Sequence, residues 1–230
     1  MSSFKTLDAL ADDMAAGSIV LIRADLNVPL DDNGAVRDAT RLERLLPSLK
    51  KLSQNGFRIG VLSHFGRPKG QRVAEMSLVP IAMALGDLLG QKVTFAEDCI
   101  GDAAREALTS LPEGGICVLE NTRFHGGEEA DDADFAAALA APAEVYVNDA
   151  FSAAHRAHAS THGITKYLPT YCGRAMQAEL DALTAALGDP KRPLVAVVGG
   201  AKISTKLDLL GNLSAKTDTC LLYTSPSPRD

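Results

Sequence analysis

The chain has 230 residues, 46% of them hydrophobic and 23% charged, with a formal net charge of -6, a make-up that matches ordinary globular proteins and allows a sizeable core. The acidic balance excludes whole-molecule attraction to nucleic acid or an anionic membrane, so any anion site must be a local cluster of cations. Trp is absent and aromatics are 5%, which removes the stacking platforms that single-stranded nucleic acid needs.

Residues 18–22 form an apolar run that predicts a buried strand, and it ends at Arg23-Ala24-Asp25-Leu26-Asn27-Val28-Pro29. Pro29 removes a ladder donor and pushes Val28 out of helix space, so an irregular polar loop follows. Asp31-Asp32-Asn33-Gly34 is a turn signal. Thr40 is then expected as an N-cap with Glu43 as its capping-box partner. Leu42, Leu45, Leu46, Leu49 and Leu52 carry helical spacing to the stop at Asn55-Gly56.

Residues 58–62 predict the next strand, which leads into Ser63-His64-Phe65-Gly66-Arg67-Pro68-Lys69-Gly70. A helix over 78–89, a short strand over 92–95 and a helix over 100–111 follow. A strand over 115–119 leads into Glu120-Asn121-Thr122-Arg123-Phe124. The acidic run 128–134 is expected as a solvated helix entry, where carboxylates favour the positive end of the dipole. The run 143–147 predicts a strand feeding residues 147–161, V-N-D-A-F-S-A-A-H-R-A-H-A-S-T. That stretch gathers an Arg, two His, an Asp, an Asn and three hydroxyls among small residues that let a backbone come close to a ligand. Met176, Leu180, Leu183 and Leu187 form one stripe of an amphipathic helix over 173–187. A strand over 193–198 runs into Gly199-Gly200-Ala201-Lys202, and Ile203, Leu207 and Leu210 begin another helix.

Strands alternating with helices imply βαβ units with right-handed crossovers. The expected fold is α/β, a Rossmann-like parallel sheet with helices on both faces, followed by an incomplete second α/β lobe. Cys99, Cys117, Cys172 and Cys220 form no C-x-x-C pair, and no apolar signal opens the chain, which predicts a reducing cytoplasm. No run approaches the ~18 apolar residues of a membrane span.

Successive strand ends carry loops of one character: Asp25 with Asn27, His64 with Arg67, then Arg123, Arg156, and Lys202 with Lys206. In a parallel sheet these ends share one edge, where open α/β sheets place ligands. Arg41 opens a helix, whose free N–H groups also favour an anion. Converging guanidinium groups suit phosphate and carboxylate, because the planar fork gives two parallel hydrogen bonds. Lys202 and Lys206 share one helix face and repel unless an anion lies between them. Asp25 could instead pair with Arg23. Lys69, Arg72, Arg105 and Arg174 are read as solvated. His125, His155, His158 and His162 lack metal-ligand spacing, so no metal site is expected. Gly199-Gly200-Ala201-Lys202 is not a P-loop, and no G-x-G-x-x-G supports a dinucleotide enzyme.

The segments 23–29, 63–68, 119–124, 148–161 and 199–202 with Lys206 resemble those of the phosphoglycerate kinase family, in its order and spacing, over about residues 4–222. Ser152-Ala153 replaces the family's usual Gly-Thr. The resemblance implies a glycolytic enzyme that transfers a phosphoryl group reversibly between 1,3-bisphosphoglycerate and ADP, giving 3-phosphoglycerate and ATP. It implies a phosphoglycerate site at Asp25, Leu26, Asn27, Arg41, His64, Phe65, Gly66, Arg67, Arg123 and Arg156. Arg41, Lys202 and Lys206 would surround the transferred phosphoryl. Gly199, Gly200 and Lys206 would face Mg-ATP or Mg-ADP, which is a substrate. The implied organisation is a phosphoglycerate-binding domain over 1–172, a connector helix over 173–188, the start of a nucleotide-binding domain over 189–222, and a tail over 223–230 without family character. Most of the nucleotide lobe is absent from this sequence, so a competing expectation is a phosphoglycerate-binding module without turnover. A cytoplasmic monomer with small-molecule partners, and neither nucleic acid nor membrane, is expected.

Overall fold

The computed structural model describes residues 4–31, 33–188, 190–199 and 207–223. The first unit, Met1–Glu179, is built on a parallel sheet. Its strands are β1 (Ile19–Arg23), β2 (Arg58–Leu62), β3 (Val93–Ala96), β4 (Ile116–Leu119), β5 (Val145–Asn148) and β6 (Thr170–Cys172). The order across the sheet is β3-β4-β2-β1-β5-β6, and every pairing is parallel. Four of these strands read as continuous apolar runs because they are covered on both faces.

The covering can be followed residue by residue, since neighbours along a strand point to opposite faces. Val20 and Ile22 of β1, Ile59 and Val61 of β2, Ile116 and Val118 of β4, and Val145 and Val147 of β5 enter one core. That core also takes Leu7 and Leu10 of α1 (Leu7–Asp13), Leu42, Leu45, Leu49 and Leu52 of α2 (Thr40–Gln54), and Ile81 and Leu85 of α3 (Val79–Leu89). The alternate residues Leu21, Cys117, Leu119 and Tyr146 enter a second core. Its helices are α4 (Gly101–Thr109), through Ala104 and Leu108, and α5 (Ala133–Ala140), through Phe135 and Leu139. Gly60 sits where β2 meets α4. A Cβ there would lie 2.7 Å from Leu21 Cδ2 and 2.8 Å from Leu108 Cδ2, so only glycine lets the helix come this close.

The boundary between the two units falls within α6 (Arg174–Leu187). In the second unit, Leu180–Asp230, β7 (Val195–Gly199) and β8 (Thr219–Tyr223) pair in parallel and α7 (Leu207–Ser214) joins them. Their apolar side chains stay largely in solvent: Val197 is 66% exposed and Leu221 56%. Among the described residues no helix is long and apolar enough to cross a membrane.

Some local expectations need correction. The cap of α2 is not Thr40: the helix begins there, Ala39 holds the cap position, and Asp38 Oδ1 accepts from Thr40 N at 2.9 Å. Leu183 and Leu187 of the α6 stripe are exposed, and Met176 is the helix's buried residue. Helix α1 and strand β6 were not anticipated. They are seven and three residues long, too short to show a period.

Candidate anion site at the strand ends

The strand order reverses direction at β1, which lies between β2 and β5. This is the switch point where the loops leaving neighbouring strands part and leave a crevice. The loop after β1 supplies Asp25, Leu26 and Asn27, and each is tied to a neighbouring strand end or helix. Arg41 Nη1, in the first turn of α2, donates to both Asp25 carboxylate oxygens at 2.8 and 2.9 Å. Ser152 Oγ, from the loop after β5, donates to Asp25 Oδ2 at 2.5 Å. Asp25 therefore pairs with Arg41 and not with Arg23, and it joins α2 to the β5 loop. Leu26 N donates to Ser63 Oγ at 3.1 Å, and Asn27 Oδ1 accepts from Gly66 N at 3.0 Å.

The loops after β2 and β4 are stitched by Asn121, a buried side chain. Its Nδ2 donates to the carbonyls of Phe65 at 2.8 Å and Met76 at 2.9 Å. Its Oδ1 accepts from Phe65 N at 3.2 Å and Arg123 N at 3.1 Å. Arg123 is buried and donates from Nη1 to Gly66 O at 2.9 Å. Its Nε lies 3.0 Å from Glu129 Oε1, a charge contact outside good hydrogen-bond geometry. Burial pushes the Arg123 pKa down, Glu129 opposes this, and Arg156 and Arg23 reinforce it.

His64 is 7% exposed. Its pKa is pushed down to about 2, first by burial and then by the positive charges of Arg23, Arg123 and Arg156. The same influences place Arg156 within electrostatic reach of His64 and Arg123. Among the described residues neither Arg67, which is exposed, nor Arg156, which is half-buried, gives its guanidinium to a carboxylate or hydrogen-bond acceptor. The site thus joins Asp25, Leu26, Asn27, Arg41, His64, Phe65, Gly66 and Arg123 by direct bonds or adjacent backbone, with Arg67 and Arg156 as free cations. Gly199 ends β7 in the second unit. Gly200, Lys202, Lys206 and residues 224–230 of the tail lie outside the described residues.

A cavity of about 210 Å³ lies beside Asp25 and Arg41, lined also by Arg44, Leu45, Asp149, Phe151, Ser152, Ala175 and Glu179. It holds only those two of the expected ligand residues, so the remaining cations belong to the loop rim and not to this cavity. On its wall, buried Asp149 accepts from Ser48 Oγ at 2.6 Å and from Met176 N at 3.0 Å. Ser48 Oγ in turn accepts from Arg174 N at 2.8 Å. Burial raises the Asp149 pKa, and these hydrogen bonds oppose the rise. This carboxylate satisfies the first free N–H groups of α6. A Cβ on Gly173 would lie 2.3 Å from its carboxyl group, so the approach needs glycine.

Two readings of charge, those of Glu128 and Arg174, are overturned. Glu128, expected in a solvated run, is wholly buried and accepts from Ser160 N at 2.9 Å and Ser160 Oγ at 2.5 Å. Arg72, read as solvated, is exposed and also donates to Glu97 O at 2.7 Å. Arg174 donates to Asp8 Oδ1 at 2.5 Å and to Gln177 Oε1 at 3.0 Å. His125, set aside for its lack of metal-ligand spacing, is brought beside Asp98 and Cys99, and their ligand-type atoms lie within 4.8 Å of one another. Here Asp98 Oδ1 is already engaged by His125 Nε2 and Cys99 N, both at 2.7 Å, and burial holds the Cys99 thiol well above its usual pKa. Arg23 and Asn121 were passed over as site residues, and Asp149 and Ser160 were noted only as members of the stretch 147–161. The one available signal was Arg23 closing an apolar run that is buried throughout.

A family model described as phosphoglycerate kinase matches residues 10–223. A curated protein named phosphoglycerate kinase from Rhizobium meliloti (strain 1021) is 58% identical over 220 residues, covering 96% of this chain and 54% of that one. Another of that name, from Granulibacter bethesdensis, is 59% identical with the same coverage. The solved phosphoglycerate kinase of Coxiella burnetii superposes with a TM-score of 0.84 at 37% identity, covering 95% of this chain and 54% of that one. That of Pyrococcus horikoshii gives 0.80 at 30% identity, with 93% and 54% covered. The chain spans about half the length of the curated relatives it matches.

Proposed function

This chain belongs to the phosphoglycerate kinase family, and from that premise we propose that its first unit is the acid-substrate half of a phosphoglycerate kinase. The whole protein transfers a phosphoryl group reversibly between 1,3-bisphosphoglycerate and ADP, giving 3-phosphoglycerate and ATP. The observation that carries the reading is the rim of cations at the switch point, where Arg67 and Arg156 have no carboxylate of their own among the described residues. In an acidic protein such a rim suits a small, multiply charged anion. A phosphate-bearing sugar acid has that charge.

Arg67, Arg123 and Arg156 bind and orient the phosphoglycerate. His64 adds a neutral N–H, and the backbone of residues 25–27 and 64–66 shapes the floor. Arg41 stands at the edge of the rim, held by Asp25 at 2.8 Å, and faces the transferred group. On the family resemblance Lys202 and Lys206 meet that group from the nucleotide side, and Gly199 and Gly200 allow the phosphates of Mg-ATP or Mg-ADP to approach. The transition state is loose and charge-spread, so these cations act by positioning and neutralising charge without a covalent intermediate. The connector role of residues 173–188 is part of the same proposal. A binding module without turnover gains nothing from relatives that are named for the kinase.

Calorimetric titration of the 230-residue chain with 3-phosphoglycerate tests the site. Saturable binding that is lost in Arg156→Ala is expected, and the absence of binding to the unaltered chain would overturn the reading. In the whole protein, Arg41→Ala should lower kcat by about 10³–10⁵-fold with little change in 3-phosphoglycerate affinity. Equal losses in turnover and affinity would reduce Arg41 to a binding group.

A further inference from the structure

Behind the rim lies a buried polar relay that none of the substrate contacts requires. Arg23, 1% exposed, closes β1 among apolar neighbours. Its Nε donates to Ser160 Oγ at 2.9 Å, its Nη1 donates to the carbonyl of Ala24, and its Nη2 lies 2.8 Å from His64 Nδ1. Ser160 Oγ donates onward to Glu128 Oε1 at 2.5 Å, and Ser160 N donates to Glu128 Oε2 at 2.9 Å. Tyr146 Oη donates to Ser160 O at 2.8 Å and holds the backbone there. A buried guanidinium and a buried carboxylate are thus joined through one hydroxyl, which spares each an uncompensated charge.

We propose that Arg23 is a positioning residue: anchored through Ser160 to Glu128, it donates to His64 Nδ1 and fixes the imidazole as the Nε2–H tautomer, a neutral donor to the bound anion. The argument rests on what each group can do. Arginine has donors only, so the ring nitrogen it meets must be the acceptor. In a neutral imidazole the proton then sits on the other nitrogen. Among the described residues Nε2 makes no protein hydrogen bond, which leaves its N–H for a ligand. The leading influences on the ring are burial and the positive charges of Arg23, Arg123 and Arg156, with His158 a smaller one. His64 therefore keeps one N–H and no charge across the working pH range, and the arginines supply the charge.

The identity of the anion rests on the functional reading above, but the tautomer does not. Two-bond ¹H–¹⁵N spectra of the histidine-labelled 230-residue chain read it without ligand. We expect an unprotonated Nδ1 and a protonated Nε2 for His64, unchanged between about pH 5 and 8. A protonated Nδ1, or titration near the ordinary imidazole value, would overturn the proposal. With 3-phosphoglycerate as probe, His64→Gln, whose amide N–H reaches the Nε2 position, should bind at least about tenfold more tightly than His64→Asn. Ser160→Ala should weaken binding in the unaltered chain and add nothing in the His64→Gln background. Equal losses in both backgrounds would make the relay merely structural and sink the positioning role. If Ser160→Ala does not fold, the spectrum of the unaltered chain still decides. If 3-phosphoglycerate fails to bind while His64 shows the expected tautomer, the functional reading falls and this inference stands.

Discussion

The two units use the same strand–helix–strand grammar and arrive at opposite burial. In Met1–Glu179 every residue of β1 and β4 is buried, and alternate side chains feed two cores. In Leu180–Asp230, β7 alternates between exposed and half-buried residues, and most of β8 is exposed. Yet Val195 to Val198 is as apolar as Ile19 to Ile22. The difference teaches that an apolar run specifies a strand locally, while burial requires helices supplied on both sides of it. Polar groups follow the same division. The first unit can bury Arg23 and Glu128 because a surrounding sheet fixes Ser160 between them.

The sharpest way to break this comparison is to remove the buried carboxylate. Glu128→Ala leaves Arg23 without its counter-charge and should destabilise the first unit by about 3–5 kcal/mol. A loss within about 0.5 kcal/mol would show that the relay contributes nothing to the fold. Because two units with different burial need not unfold together, the measurement should be segment-resolved hydrogen exchange and not one melting point. Leu108→Ala opens a cavity in the second core and should cost about 2–5 kcal/mol by the same readout.

Acidification sharpens the contrast further. The folded-state pKa of His64 is far below its ordinary 6.5. Above that value both states are neutral there and pH has no effect. Below it the unfolded chain takes a proton that the folded chain refuses, so stability falls with pH until about 2. Each pH unit is worth about 1.4 kcal/mol, so moving from pH 6.5 to 5 should remove about 2 kcal/mol from the first unit. His158, lowered chiefly by burial, acts in the same direction, and Asp149, raised by burial, acts against it. His64→Gln should flatten this slope, and an unchanged slope would show that another group carries it. The smallest expected effect is at Val197→Ala, where the side chain is 66% exposed. A change beyond about 0.5 kcal/mol there would contradict the exposed assignment of β7.

The amino-acid order alone carried the strands and most helices, the loops that follow the strands, and the cations those loops bear. These depend on side-chain period, turn residues and a neighbour three or four positions away, all of which are local. Asp25, His64, Arg123 and Arg156 were legible as candidate residues for that reason. Their partners were not. Arg23 finds Ser160 137 residues away, and Asp149 finds Ser48 101 residues away. Glu128 sits in a run of carboxylates, and only the packed fold singles it out for burial. Strand order, burial and the choice of hydrogen-bond partner are set by which distant segments the sheet brings together, and a local pattern holds no record of those meetings.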